Sequence, residues 1–393
     1  MSKSIEAMDA DAASGSGKRR WIGGAIHDTS IHDAKRVQAI DALRGFDMFW
    51  IIGGDALAIA ILSRLHQPWA DKLAEQFEHV LWEGFRFYDL IFALFLFLVG
   101  CVLPYSLSKY RQDPSAVYWR ISRRVAALVL LGLIANGLLN FDWGNLRMAG
   151  VLQRIGICYG LGALIFLHTR VRGQVLACLA ILLGYWGLLA WVAVPGGSAG
   201  DYSLQGNLAG WIDRNFLPGK ISETYYGFGD NEGLLSTIPA VATVLLGALA
   251  GQWLQSLRGQ WSKAVGLLLA GCVCLAVGYA WDGWFPIIKN LWTSSFVLVT
   301  AGWSLLLLSL FYTVIDIGGY RAWAMVFSVI GVNAITIYVA QRFIDFRHTS
   351  EFFLTGTAGL LGEWGLVLLI AGTLLGKILF VAFLYRQRLF LRV

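Results

Sequence analysis

YDLIFALFLFLVGCVLPYSLS, residues 88–108, carries one charged side chain, Asp89, and after it no charge until Lys109. A helix of about 20 residues rising ~1.5 Å per residue crosses a hydrocarbon core of ~30 Å, so this stretch reads as a transmembrane helix. Comparable apolar runs lie near 42–63, 121–140, 148–168, 174–194, 234–254, 264–281, 291–315, 323–342 and 365–385. The expected fold class is an all-α integral membrane protein of about ten transmembrane helices. Composition agrees. The chain of 393 residues is 57% hydrophobic and 14% charged, with a mean hydropathy of +0.61, whereas a soluble domain carries ~25% charged residues.

Residues 1–36 are polar and rich in Ser, Gly, Asp and Ala, with Lys18, Arg19, Arg20, Lys35 and Arg36 approaching the first span. They read as a flexible cytoplasmic tail with no cleavable signal, ahead of a polytopic domain over 37–393. The net charge of +6 does not point to nucleic acid, because the basic residues follow membrane sidedness. With both termini inside, the cytoplasmic segments hold the larger share of Lys and Arg. His79 then faces outward, as does the longest loop, 195–233. That loop has a short amphipathic stretch at Trp211, Ile212, Phe216 and Leu217, and reads as a lid over an outward cleft or as a plain connector. Cys101, Cys158, Cys178, Cys272 and Cys274 fall in or beside apolar spans, where cysteine acts as a small hydrophobe. Neither a zinc site nor a disulfide framework is expected, and no internal repeat is evident.

In so apolar a chain few groups can do chemistry. A charge inside a transmembrane helix costs roughly 2.5–3.5 kcal/mol and is a functional candidate by default. His79 stands at a membrane edge, where a group titrating near neutral pH can serve as base, nucleophile or proton shuttle. In the first span Asp41, Arg44 and Asp47 are spaced to share a helical face and pair. Asp55 lies about 15 Å further along that helix, toward the outer face, and calls for a polar cavity. Arg154 interrupts the fourth span and must find carboxylates, carbonyls or an anionic ligand; an aspartate of the first span and a ligand are equal claimants. Asn333 and Tyr338 are suited to hydrogen bonds across helices, and Lys377 to snorkelling toward the cytoplasm.

Several segments, taken in order, resemble the transmembrane acyltransferases typified by heparan-α-glucosaminide N-acetyltransferase and its bacterial relatives. They are IDALRGFDMFW (40–50), the His79/Trp82/Gly84/Asp89/Phe92/Gly100 pattern, GVLQRIGICY (150–159), DNEGLLSTIPAVATVLLG (230–247), LWTSSFVLVTAGWSLLLL (291–308) and GVNAITIYV (331–339). The resemblance implies that His79 is catalytic, that Asp89 is its partner, and that Asp55 stands where the lysosomal enzymes have a functional asparagine. It implies acetyl-CoA as the acyl donor, reaching His79 through a cleft from the cytoplasm, with no metal. The nucleotide phosphates would stay at the cytoplasmic mouth near Arg120, Arg123 and Arg124, with Arg154 a further anion-binding candidate. The acceptor would be an amine or hydroxyl of an outward-facing sugar or glycan, acetylated through an acetyl-histidine or by direct transfer. An inner-membrane location and a homo-oligomer complete the reading. A secondary transporter using Asp55, Arg154 and Asn333 is the alternative, and a non-catalytic scaffold a third. Ten residues of unbroken helix would hold His79 and Asp89 about 15 Å apart, so the chain must turn between them, near Gly84.

Overall fold

Asp89 and the apolar run after it form α4 (Phe87–Leu107), at the centre of an all-helical bundle. A computed structural model describes residues 37–107 and 114–389; the expected cytoplasmic tail lies outside the described residues. Before α4 come α1 (Gln38–Phe49), a π-helical turn (Trp50–Gly54), α2 (Asp55–Ser63) and α3 (Pro68–Ala74). After it come α5 (Pro114–Ala135), α6 (Val151–His168), α7 (Val171–Trp191), α8 (Leu208–Phe216), α9 (Thr237–Gln255), α10 (Gln260–Asp282) and α11 (Ser294–Phe311). The chain ends in α12 (Ala324–Val332), α13 (Ala334–Phe343), α14 (Phe346–Leu360) and α15 (Gly365–Arg386).

By length and composition, 8 of the described helical stretches can cross a membrane, or 9 if the bent pair α12–α13 is one span. The protein is a multi-pass membrane protein. Of the ten expected spans, α5 is the one outside this group. It has 22 residues, about 33 Å of helix, but Arg120, Arg123 and Arg124 lie in its first half. The expected span 323–342 is broken by 67° between Val332 and Ala334. The expected loop after it holds α14, whose first turn is capped by Asp345 accepting from His348 N–H at 2.9 Å. Ser350 of α14 donates to the Leu369 carbonyl of α15 at 2.8 Å.

Among the candidate spans α4 and α9 are the most enclosed, and α10 and α15 the least. The backbones of α4 and α9 touch because small residues line the contact. A Cβ on Gly100 would lie 2.0 Å from the Val244 carbonyl oxygen, and one on Gly247 would lie 1.9 Å from that of Phe97. Alanine at either position would force the helices apart.

The first span is not a straight rod. Gly53 takes φ +126°, open to glycine but rarely to other residues, and the ladder loosens there. The Ile52 carbonyl accepts from Lys377 Nζ at 2.7 Å, and that ammonium also donates to Gln341 at 3.2 Å. Lys377 therefore does not snorkel to the cytoplasm as expected; a carbonyl at the break and an amide hold it inside the bundle.

Candidate active site

The chain leaves helical conformation between Glu78 and Arg86, and the strap so formed brings His79 back over the first turn of α4. Gly84, at φ +114°, makes the turn. Its N–H donates to the Ile287 carbonyl at 2.8 Å, while Glu83 and Ile288 pair as an isolated antiparallel bridge. The strap is thereby stitched to the loop between α10 and α11. Trp82 fixes its other side, donating to the Tyr202 carbonyl at 2.9 Å and stacking on Tyr225.

His79 Nδ1 lies 2.8 Å from Asp89 Oδ1. A carboxylate only accepts, so it selects the tautomer with hydrogen on Nδ1 and leaves the Nε2 lone pair available. Asp89 is fully buried, and its second oxygen accepts from the N–H groups of Arg86 at 3.1 Å and Val80 at 3.4 Å. Its place in the first turn of α4 also sets the negative charge at the favourable end of the helix dipole. Such a carboxylate is held rigidly and stabilises a protonated imidazole beside it.

The stitched loop adds a residue the sequence reading did not single out. Lys289 Nζ lies 2.8 Å from His79 Nδ1, 3.0 Å from Nε2 and 3.4 Å from Asp89 Oδ1. Burial pushes the lysine ammonium below its ordinary value, and the Asp89 charge pulls it partly back. His79, Asp89 and Lys289 thus form one cluster, half-exposed at the imidazole and closed at the carboxylate.

The cluster opens into a cavity of about 180 Å³, lined by Ile51, His79, Tyr88, Ile91, Phe92, Val151, Asn231, Glu232, Lys289, Asn290, Trp292 and Tyr338. A smaller pocket of about 20 Å³ shares Ile51, Phe92, Val151 and Tyr338 and adds Met48, Phe95, Leu152, Ile155 and Ile335. Polar groups therefore line the His79 end, and apolar side chains line the way inward along α6.

Asp55 does not line the cavity, but its charge acts on Tyr88, whose ring lies 4.7 Å from that of His79. Of the charges expected to pair in the first span, Arg44 meets Asp41 at 3.6 Å, while the fully buried Asp47 has no hydrogen-bond partner among the described residues. Arg154 does not meet an aspartate of that span. It donates to Ser236 and the Gly233 carbonyl and lies over the Trp292 ring at 5.0 Å. Asn333, at the break between α12 and α13, has no partner for its amide among the described residues.

Arg120, Arg123 and Arg124 stand apart from His79. Arg124 covers the Tyr159 ring at 4.4 Å, two turns along α6 from Val151 and so about 12 Å from the cavity wall. Tyr118, two residues before Arg120, bonds His168 at the far end of α6.

The segment 195–233 is folded onto the strap. Leu208, Ala209 and Tyr225 share a core with Tyr185, Leu189, Phe285, Ile288 and Leu291. Asp213 Oδ1 and Oδ2 accept from Leu234 and Asp230 N–H; burial pushes its carboxyl up to about 6 despite those bonds. Burial also acts on Asp230, but Arg147, bonded to it at 2.9 and 2.5 Å, holds that carboxyl below the ordinary range. Arg147 also grips Glu232, which reaches the cavity. Glu232 lies inside the DNEGLL string and Lys289 two residues before LWTSSF, so adjacency to those strings was the available signal for both.

No protein-family model matches the chain. It is 26% identical over 370 residues to heparan-alpha-glucosaminide N-acetyltransferase of Homo sapiens, covering 79% of this chain and 53% of that protein. To the Mus musculus protein of the same name it is 24% identical over 375 residues, covering 81% of this chain and 55% of the other. The chain thus spans about half the length of the curated relatives it matches. The matches support its membership of their family.

Proposed function

We propose, with that family relationship as the premise, that the chain is a transmembrane acetyltransferase carrying an acetyl group from acetyl-CoA to an amine or hydroxyl of a sugar or glycan. The observation that carries the reading is the His79–Asp89 pair at the head of a cavity that turns apolar inward. His79 Nε2 takes the proton from the acceptor as its nitrogen or oxygen attacks the thioester carbonyl. Asp89 holds the tautomer and stabilises the imidazolium that forms. As the carbon–sulfur bond breaks, the imidazolium returns the proton to the departing sulfur. The same Nε2 lone pair is suited to attack the thioester itself, so an acetyl-histidine is the competing route.

The donor enters, on this reading, from the end of α6 marked by Arg120, Arg123 and Arg124, which hold its phosphates while the pantetheine arm follows the apolar pocket to His79. That end is cytoplasmic and His79 faces outward, across the inner membrane of the cell. Arg154, behind Trp292, supports the cavity wall, and Asp55 positions Tyr88 against the His79 ring. Purified protein incubated with labelled acetyl-CoA and a panel of amino sugars and glycans tests the proposal. Label transferred to one acceptor class, and lost in His79→Ala, supports it. Solute uptake into vesicles without acetyl transfer overturns it in favour of a transporter.

A further inference from the structure

We propose that Lys289 is an internal acetyl acceptor: without an external amine, its ε-amine takes the acetyl group and closes the site. The inference rests on the acetyl-transfer reading and follows from where a primary amine already stands. For His79 to deprotonate an acceptor, the acceptor's nitrogen must come within about 2.6–3.2 Å of Nε2. Lys289 Nζ is 3.0 Å from that atom and 2.8 Å from Nδ1, so it stands over the ring and meets the Nε2 lone pair by a rotation of the imidazole or of its own side chain. It lines the same cavity as His79, so a thioester that reaches the imidazole also reaches the lysine.

The position is built rather than incidental. The loop bearing Lys289 is tied to the strap by Gly84 N–H to Ile287 and by the Glu83–Ile288 bridge. The Lys289 carbonyl also accepts from Trp292 N–H at 2.9 Å. The side chain is only 16% exposed, and burial shifts its ammonium toward the neutral amine, against the pull of Asp89 and Glu232. A desolvated lysine beside a base is an activated nucleophile.

The step is complete with acetyl-CoA alone. The lone pair of the neutral amine attacks the thioester carbonyl carbon, and the carbon–sulfur bond breaks. One N–H proton passes through His79 Nε2 to the departing sulfur, leaving N-acetyl-lysine and the thiol of CoA. The acetamide has no charge, so the ion pair with Asp89 is lost and the new acyl group occupies the space at Nε2. An external amine bound in that space competes with the modification. The ε-amine thus holds the acceptor's place until an acceptor arrives.

The experiment uses the full chain, purified and incubated with acetyl-CoA, with and without an active acceptor, then digested for peptide mass spectrometry. Without acceptor, the peptide bearing Lys289 gains one acetyl group faster than that bearing the half-exposed Lys220, and transfer activity falls as occupancy rises. Adding acceptor suppresses the modification, and Lys289→Arg does not lose its remaining activity on preincubation with acetyl-CoA. Transfer to the external acceptor with Lys289 unmodified, or modified no faster than Lys220, overturns the inference and leaves the acetyl-transfer reading standing. Neither external transfer nor modification of Lys289 overturns both.

Discussion

The ends of α6 carry positive charge in different settings. Near Val151, Arg147 is locked to Asp230 and Glu232, and Lys289 to His79 and Asp89, so nearly every cation has a carboxylate within bonding distance. Toward His168, Arg120 and Arg123 are exposed on α5 and Arg124 lies over Tyr159. A desolvated, cross-linked cluster can stabilise charge as it develops in a reaction, because its groups are already oriented. Exposed arginines are screened by salt and suit recognition of a charged ligand. The two ends therefore differ as chemistry differs from binding, and substitutions at each should have different signatures.

The largest effect belongs to His79. His79→Ala should lower kcat by about 10²–10⁴-fold, the usual contribution of a general base. Acetyl-CoA should still raise the melting temperature, since a ligand bound only to the folded state stabilises it. A variant with full transfer activity removes the central claim. Asp89→Asn comes next, with a kcat loss of roughly 10²-fold, because the amide neither fixes the tautomer as well nor balances the imidazolium. Steady-state kinetics beside a thermal melt separate this loss from unfolding. At the other end, replacing Arg120, Arg123 and Arg124 together by alanine should raise the KM for acetyl-CoA by about 10-fold at low salt, with the gap narrowing as salt rises. An effect confined to kcat would erase the distinction between the ends. Asp55→Asn should alter acceptor turnover only a few-fold through Tyr88, leaving acetyl-CoA binding in place.

The smallest effect is a pH dependence. The Asp213 carboxyl, raised by burial to about 6, binds a proton in the folded state that an unfolded aspartate near ~3.9 does not. Stability from this group is therefore greatest below about 4 and declines as pH rises through about 6. Melting temperatures across that window should fall less steeply in Asp213→Asn than in the parent protein. Asp230 has the opposite sign: its lowered carboxyl adds stability above the ordinary aspartate value and loses it as pH falls further.

Much of this architecture is legible locally. An apolar run long enough to cross a bilayer announces itself, and once the family resemblance pairs His79 with Asp89, their ten-residue spacing requires the turn at Gly84. What escapes is whatever depends on distant partners. Lys289 is 210 residues from His79, and its one local signal is its place two residues before LWTSSF. Lys377 reads as a snorkelling residue because the carbonyl it satisfies belongs to a break in the first span. That break turns on Gly53, one glycine among 45. The bend at Asn333 is hidden for a related reason: asparagine within an apolar run looks like a polar contact between straight helices, not like a corner.

The stitch between Gly84 and Ile287 has a consequence for how the protein is made. During synthesis His79 and Asp89 emerge and can meet early, while the loop that braces them waits for five further long helices, α5, α6, α7, α9 and α10. Joining segments so far apart is a late event in folding, so the strap stays unfastened until most of the bundle has assembled. A partly inserted chain has its imidazole and carboxylate but no wall to enclose a thioester. Reactivity is thus withheld from the nascent protein, and an arrest or truncation before Ile287 should yield a membrane-embedded fragment without a working site.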